Sequence, residues 1–149
     1  MRHQAISLRE APGTALPRPV PDLSFVIPAF NEQDNIAETI TRVAAEARRL
    51  GQSFEIIVVD DGSTDTTFEL AKQMGAVHPV RALRLSRNFG KEHAIMAGLE
   101  RTIGAAVVIL DADLQEPLAH LETMLTYRAA GFEMIYAIRA ERLDEGRVK

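Results

Sequence analysis

Two patterns of apolar and polar residues alternate along most of this chain. Short, continuous apolar runs predict buried strands, whereas apolar residues spaced three and four positions apart predict helices with one buried face. The predicted strands cover residues 23–27, 54–59, 80–85, 105–110 and 132–138. The predicted helices lie between them and cover residues 34–50, 64–74, 94–103 and 117–130. We expect Pro28 to end the first strand, because proline has no backbone N–H to donate.

The alternation of strands and helices predicts an α/β fold. Repeated right-handed crossovers build a mostly parallel sheet with helices on both faces. In such sheets, ligands bind beyond the carboxyl ends of the strands, where the winding reverses. Polar loops follow four of the predicted strands at that edge, namely residues 28–32, 60–63, 86–91 and 111–115. The pattern therefore predicts one site built from four loops.

The length of 149 residues suits one ordinary domain. Residues 1–21 hold four of the seven prolines, so we predict a flexible arm, a domain at 22–138 and a charged tail at 139–149. The net charge of −4 provides no general basic surface for nucleic acid, and the lack of cysteine excludes disulfides and thiolate chemistry. No apolar run approaches the roughly 20 residues of a membrane span, and residues 1–21 lack the apolar centre of a secretion signal. We therefore expect a soluble, cytoplasmic chain.

The candidate chemistry follows the apolar run at 105–110. Asp111, Asp113 and Gln115 would point the same way if the backbone stays extended. Oxygen ligands at this spacing suit Mg²⁺ or Mn²⁺, which keep positions for water and substrate phosphates. A solvated strand-to-helix loop is the alternative interpretation. Because the sequence has neither the glycine motif of dinucleotide folds nor a P-loop, a cation on these oxygens is the natural means of holding phosphates.

Four motifs in this order resemble the family 2 glycosyltransferases, which have the GT-A fold. They are V-I-P-A-F-N-E at 26–32, D-D-G-S-T-D at 60–65, R-N-F-G-K at 87–91 and D-A-D-L-Q-E-P at 111–117. The last motif looks most like the branch that transfers sugars to polyprenyl phosphates, such as dolichyl-phosphate mannosyltransferases and undecaprenyl-phosphate glucosyltransferases. The resemblance covers residues 23–142, and it implies a GT-A, Rossmann-like sheet that stops after the fifth predicted strand.

The resemblance also implies roles for single residues. Asp61 would accept hydrogen bonds from the base, which fits uracil or guanine, and Asp60 would assist it or hold the loop. Asn88 and Lys91 would face the diphosphate, while a solvated lysine at a helix start is the alternative for Lys91. The implied metal ligands are Asp111, Asp113 and Gln115. The residues implied to contact the nucleotide are Pro28, Ala29, Phe30, Asn31, Glu32, Asp60, Asp61, Asn88, Lys91, Asp111 and Ala112.

The implied reaction is the inverting transfer of a sugar from a UDP- or GDP-linked donor to a polyprenyl phosphate. The cation would stabilise charge on the departing diphosphate. A phosphate acceptor is already largely anionic near neutral pH, so a strong general base is unnecessary, and no role is assigned to the four histidines. Asp113 would act in catalysis, with Arg139 and Arg142 on the acceptor side. A solvated tail is the alternative for the two arginines.

The chain ends at Lys149, before the acceptor region and membrane helices of this branch. We therefore expect it to bind nucleotide and metal but to turn over poorly, and a full-length form to work at the cytoplasmic face of the membrane. An exposed fifth strand would favour a homo-oligomer. Two alternatives stay open, namely a family 2 enzyme with a polysaccharide or other acceptor, and an inactive nucleotide-binding module of the same fold.

Overall fold

A computed structural model describes residues 8–10, 19–113 and 117–137, and the chain divides into two compact units, Met1–Gln115 and Glu116–Lys149. The described part of the first unit has five strands and three α-helices. The strands are β1 (Leu8–Glu10), β2 (Leu23–Ala29), β3 (Phe54–Asp60), β4 (Val80–Leu85) and β5 (Ala106–Ile109). The helices are α1 (Ile36–Arg49), α2 (Thr67–Met74) and α3 (Lys91–Leu99).

The five strands form one sheet in the order β1-β4-β3-β2-β5. Strands β2 to β5 run parallel, and β1 pairs with β4 in the antiparallel direction. The first two crossovers step from β2 to β4, whereas α3 carries the chain back to the far side of β2. Because right-handed crossovers in opposite directions place their helices on opposite faces, α1 and α2 share one face and α3 covers the other. The predicted α/β fold is confirmed, and the winding reverses between β2 and β5.

The core lies on both faces of the central strands, because every residue of β2 and β3 is buried. On the α3 face, Ile57, Val59, Leu83 and Leu85 pack with small residues of the helix. The small side chains of Ala94 and Ala97 let α3 pack close to the sheet. This packing fixes the position of Lys91, the first residue of the helix. The predicted bounds of β4 are those observed, and β3 extends one residue further than predicted, to Asp60.

The expectation that Pro28 ends its strand is wrong, because β2 continues to Ala29 and Pro28 stands in register with Val59 of β3. The direction of the hydrogen bonds explains this. Leu110 donates to the carbonyl of Val26, so the backbone N–H and C=O groups of Val26 and of every second residue from it face β5. The donor that Pro28 lacks would also face β5, whose register with β2 ends at Val26. The proline therefore removes no bond between β2 and β3.

The expectation that residues 105–110 are buried on both faces is also wrong. In β5 the side chains alternate, and Val107 and Ile109 are 40% and 45% exposed. The strand pairs with β2 and is the last strand of the sheet as described. An unbroken apolar run thus predicted the strand correctly but not its burial.

Two further expectations differ from the structure. Residues 8–10 of the predicted flexible arm form β1, so the arm is not wholly irregular. Residues 132–137 of the predicted fifth strand have no strand structure, and residue 138 lies outside the described residues. A strand needs a partner to satisfy its backbone groups, and no described strand pairs with this segment. The exposed strand that was expected to favour a homo-oligomer is therefore missing from 132–137.

The described part of the second unit has a short 3-10 helix, Pro117–His120, followed by α4 (Leu121–Ala129). The helix predicted at 117–130 is thus observed, with a tighter first turn. Leu121 is buried, and the rings of Tyr127 and Phe132 meet edge to face with centroids 5.6 Å apart. None of the described helices is long and apolar enough to span a membrane. The proposed domain limits at 22–138 stay a prediction.

A buried acid, Glu55, anchors the end of the sheet opposite the polar loops. Its Oε1 accepts hydrogen bonds from the Ser24 hydroxyl at 2.6 Å and the Ile103 backbone N–H at 2.8 Å. Its Oε2 lies 3.2 Å from Arg81 Nη2, so the buried charge is paired. The network ties the segment before β5 to β2 and β3, and so helps to fix β5 beside β2.

Candidate functional site

The loops after β2, β3, β4 and β5 meet around a cleft of about 330 Å³ at the carboxyl edge of the sheet. The cleft lies where the winding reverses, which is the position expected for a ligand in this class of fold. Its lining residues are Pro28, Ala29, Phe30, Glu32, Asp61, Asn88, Gly90, Lys91, Asp111, Ala112 and Asp113. The sequence prediction that four loops converge on one edge is therefore confirmed. Two predicted nucleotide contacts, Asn31 and Asp60, are not part of this lining.

Asn31 joins the β2 loop to the β3 loop. Its backbone lies in the left-handed region, with φ of 51°, a conformation that asparagine tolerates better than most residues. Its backbone N–H donates to Ser63 Oγ at 2.9 Å, and its side-chain Oδ1 accepts the backbone N–H of Thr64 at 2.9 Å. The next residue, Glu32, donates its backbone N–H to Thr67 Oγ1 at 2.8 Å. Asn31 thus shapes the cleft by holding the two loops together.

Asp60 is fully buried at the end of β3 and also acts on a loop. Its Oδ1 accepts the Ser63 backbone N–H at 3.2 Å, and its Oδ2 forms an ion pair with Arg84 Nε at 3.0 Å. Burial raises the pKa of this carboxyl group, and the hydrogen bonds from Ser63 and the charge of Arg84 oppose the rise. Asp60 thus holds the β3 loop, which is one of the two roles implied for it, and its contact with the nucleotide stays a prediction.

Asp61 is almost completely buried, yet it lines the cleft. Its two carboxylate oxygens accept the backbone N–H groups of Phe89 at 2.8 Å and Gly90 at 3.0 Å. The next residue, Gly62, has φ of 71°, and a Cβ built on it would lie 2.4 Å from the backbone carbon of Arg87. The β3 and β4 loops are thus in direct backbone contact, and each oxygen of Asp61 keeps a second lone pair for a ligand.

Lys91 is the first residue of α3 and is one of the residues that line the cleft. Its ammonium group forms an ion pair with Asp111 Oδ1. Both side chains stay more than half exposed, at 58% and 53%. The structure therefore places a positively charged group beside the carboxylates at the end of β5.

Asp111 and Asp113 lie on either side of a buried residue, Ala112. The backbone forms a turn here, so the expected extended conformation is wrong. Both carboxylates nevertheless line the cleft, because Ala112 is 4% exposed and its carbonyl accepts a 2.5 Å hydrogen bond from Thr39 Oγ1 of α1. The third predicted metal ligand, Gln115, lies outside the described residues.

The described residues include two of the three predicted ligands for Mg²⁺ or Mn²⁺, Asp111 and Asp113. Among the described residues, no cluster of three or more histidine and acidic side chains is placed to hold a metal ion. The two carboxylates still fit these cations, since Mg²⁺ is commonly bound by one or two carboxylates together with water and substrate phosphates. The ammonium group of Lys91 already pairs with Asp111, so this carboxylate accommodates a positive charge beside it.

Three residues that hold the loops were not predicted from the sequence, and two predicted acceptor-side residues lie outside the described residues. Thr39, Ser63 and Thr67 are buried polar residues that hold the loops, and none of them was predicted. A signal existed for Thr39, because it interrupts the apolar face of α1 between Ile36 and Ile40. Arg139 and Arg142, the predicted acceptor-side residues, lie outside the described residues.

The sequence profile of Glycosyl transferase family 2 matches residues 24–149 of this chain. Among curated proteins, the undecaprenyl-phosphate 4-deoxy-4-formamido-L-arabinose transferase of Pectobacterium carotovorum is 39% identical over 128 residues. That match takes in 84% of this chain but 39% of the relative. The chain thus spans about two fifths of the length of the curated relatives that it matches.

Solved structures also match this chain. TarS of S. aureus, matched over 73% of this chain and 32% of its own, has a TM-score of 0.60 at 22% identity and supports the fold alone. A mannosyltransferase from Pyrobaculum calidifontis, solved with GDP-Man and Mn²⁺, has a TM-score of 0.54 at 28% identity. This match covers 69% of the present chain and 31% of the mannosyltransferase.

Proposed function

Because this chain belongs to glycosyl transferase family 2, we propose that its first unit holds the nucleotide-sugar donor for a metal-assisted, inverting transfer to a polyprenyl phosphate. One observation carries the proposal. Asp111 and Asp113 line the cleft at the carboxyl end of β5, beside the loop that follows β2, where the winding of the sheet reverses. A diphosphate could approach two carboxylates only if a cation lies between them, and oxygen ligands favour a hard divalent ion.

The cleft offers separate positions for the parts of the donor. The nucleoside would lie against Pro28 to Phe30, where the 43% exposed ring of Phe30 can cover it. Asp61 would accept from the base through the lone pairs that the β4 loop leaves available. The diphosphate would face Lys91 and Asn88. The complex of the Pyrobaculum relative with GDP-Man and Mn²⁺ supports this type of ligand.

Bound at Asp111 and Asp113, Mg²⁺ or Mn²⁺ would stabilise the negative charge that develops on the departing diphosphate. Lys91 would supply a second positive charge near the same oxygens. In the transfer, an acceptor phosphate oxygen forms a bond to the anomeric carbon while the bond from that carbon to the diphosphate breaks. The acceptor oxygen is already largely anionic near neutral pH, so no proton has to be removed by a base from this chain.

We propose a polyprenyl phosphate as the acceptor because the name of the Pectobacterium relative contains undecaprenyl phosphate. Arg139 and Arg142 are our candidates for binding its phosphate, because guanidinium groups pair well with phosphate oxygens. For a longer form of the protein, we propose that the transfer takes place at the cytoplasmic face of the membrane.

Calorimetric titration of the chain with UDP and with GDP, each in Mn²⁺ and in EDTA, tests the donor site. We expect Mn²⁺ to increase the affinity for one of the two nucleotides by about tenfold or more, equivalent to about 1.4 kcal/mol. The variant Asp113→Ala should lose this increase, while the control Asp34→Ala, which removes an exposed carboxylate outside the cleft, should keep it. An affinity that is the same with and without Mn²⁺ would support the inactive binding module and contradict the proposal.

A further inference from the structure

Thr39 is a buried polar residue near the start of α1, and its hydroxyl group bonds to a distant part of the chain. Its Oγ1 donates to the backbone carbonyl of Ala112 at 2.5 Å, across 73 positions in sequence. Thr39 is 2% exposed and Ala112 is 4% exposed. A hydrogen bond shielded from water in this way is costly to lose, because the carbonyl would be left without a replacement partner.

The bond acts on the segment that carries the two candidate metal ligands. The backbone leaves the sheet after Leu110, whose N–H donates to Val26 at 3.0 Å, and then turns. Thr39 holds the carbonyl of Ala112 on the buried side of that turn. The carboxylates of Asp111 and Asp113, which flank this residue, are thereby directed to the cleft.

The same helix is also fixed to the nucleoside side of the cleft. The carbonyl of Glu32 accepts the backbone N–H groups of Asn35 at 3.0 Å and Ile36 at 2.9 Å, so α1 starts directly from the β2 loop. Thr39 follows Ile36 by one turn. A rigid helix therefore links the loop beside the proposed nucleoside position to the segment beside the proposed cation position.

We propose that Thr39 is a positioning residue for the divalent cation, which it sets through the Ala112 carbonyl without touching the ligand. This inference rests on the proposed function. Outer residues that orient metal ligands typically change metal affinity by about 10- to 100-fold when they are removed. Loss of the Thr39 hydroxyl should therefore weaken the Mn²⁺-dependent part of nucleotide binding and leave the part measured in EDTA nearly unchanged.

The variant Thr39→Val keeps the shape of the side chain but removes the donor, whereas Thr39→Ser keeps the donor. The matched control is Thr41→Val, which makes the same change at an exposed position of α1, where the hydroxyl bonds to the helix carbonyl of Ala37. Each variant of the 149-residue chain is titrated with the preferred nucleoside diphosphate in Mn²⁺ and in EDTA. Circular dichroism and urea unfolding establish that each variant is folded.

We expect the ratio of the two affinities to fall by about tenfold in Thr39→Val, to recover in Thr39→Ser and to stay at the wild-type value in Thr41→Val. An unchanged ratio in a folded Thr39→Val protein would overturn the inference while leaving the proposed function intact. Equal weakening in Mn²⁺ and in EDTA would overturn it too, because that result indicates a purely structural role. A wild-type chain without any Mn²⁺ effect would refute both proposals together.

Discussion

The carboxylate of Asp61 accepts the backbone N–H of Gly90 at 3.0 Å, and its other oxygen accepts the neighbouring N–H of Phe89. The resemblance implies that Asp61 accepts hydrogen bonds from the base. In the structure Asp61 fixes the loop that leads to Lys91. A single residue therefore connects the proposed nucleoside position to the proposed diphosphate position. Changes at Asp61 should consequently affect stability as well as binding.

Asp61→Asn should lower the free energy of unfolding by about 1–3 kcal/mol. Asparagine has one acceptor oxygen, so one of the two backbone N–H groups would face the amide NH₂, which is itself a donor. Urea unfolding measures the stability, and calorimetry with UDP and GDP should show weaker binding. The control Asp34→Asn removes an exposed charge and should change neither quantity by much. A stability loss in Asp61→Asn no larger than in this control would contradict the coupling.

Gly62→Ala should be markedly more destabilising than Gly51→Ala. Both glycines have positive φ, 71° and 68°, so both alanines incur a backbone cost of about 1–2 kcal/mol. At Gly62 the new Cβ would also lie 2.4 Å from the backbone of Arg87, while at Gly51 nothing lies within 4 Å. Thermal and urea unfolding compare the two variants directly. Equal losses of stability would show that the β3 and β4 loops do not approach as closely as described.

Lys91→Met should separate binding from stability. An ion pair between exposed side chains contributes about 0–1 kcal/mol, so the unfolding free energy should hardly change. The affinity for a nucleoside diphosphate in EDTA should fall by about 1 kcal/mol, because a cation that faces the phosphates is lost. Lys72→Met, an exposed lysine on α2, is the matched control for both measurements. If nucleotide binding survives Lys91→Met unaltered, Lys91 is a solvated lysine at a helix start.

Asp60 should give a distinctive pH dependence of stability. Burial raises its pKa above the ordinary value of 3.8, so the folded state binds the proton more tightly than the unfolded chain does. The resulting stability is fully present below pH 3.8 and is lost as pH rises through the folded pKa. The unfolding free energy of the wild type minus that of Asp60→Asn should therefore fall over this window in urea titrations at stepped pH.

Asp65 provides a control of opposite sign for that experiment. Burial tends to raise its pKa, but hydrogen bonds from Thr67 and from the backbone N–H of Gln33 outweigh the effect and lower it. Its stabilising contribution is present above the ordinary value of 3.8 and is lost as pH falls through the lower folded pKa. The difference between the wild type and Asp65→Asn should thus rise with pH. The same sign for both differences would contradict the environment assigned to Asp60.

The periodicity of apolar residues predicted the order of strands and helices well, because burial of one helix face or of a central strand imposes that pattern locally. It failed at the sheet margins. Residues 105–110 were predicted to be a strand buried on both faces, but β5 spans Ala106–Ile109, has exposed side chains and is the last strand of the sheet among the described residues. Residues 132–137 were predicted to be a strand but have no strand partner in the described structure. Burial and pairing at these places depend on neighbours that are remote in sequence.

The sequence by itself determined the α/β class, the four polar loops at one edge and the acidic pair at 111 and 113, because each follows from local spacing or from the chemistry of a short motif. Only the tertiary structure decided which of these residues face the cleft and which hold it together. Asn31 and Asp60 bond to neighbouring loops, Asp61 clamps the loop before α3, and Thr39 orients Ala112. The reason is that a polar side chain can satisfy a loop or a ligand equally well, and its role is set by the backbone groups that folding brings within about 3 Å of it.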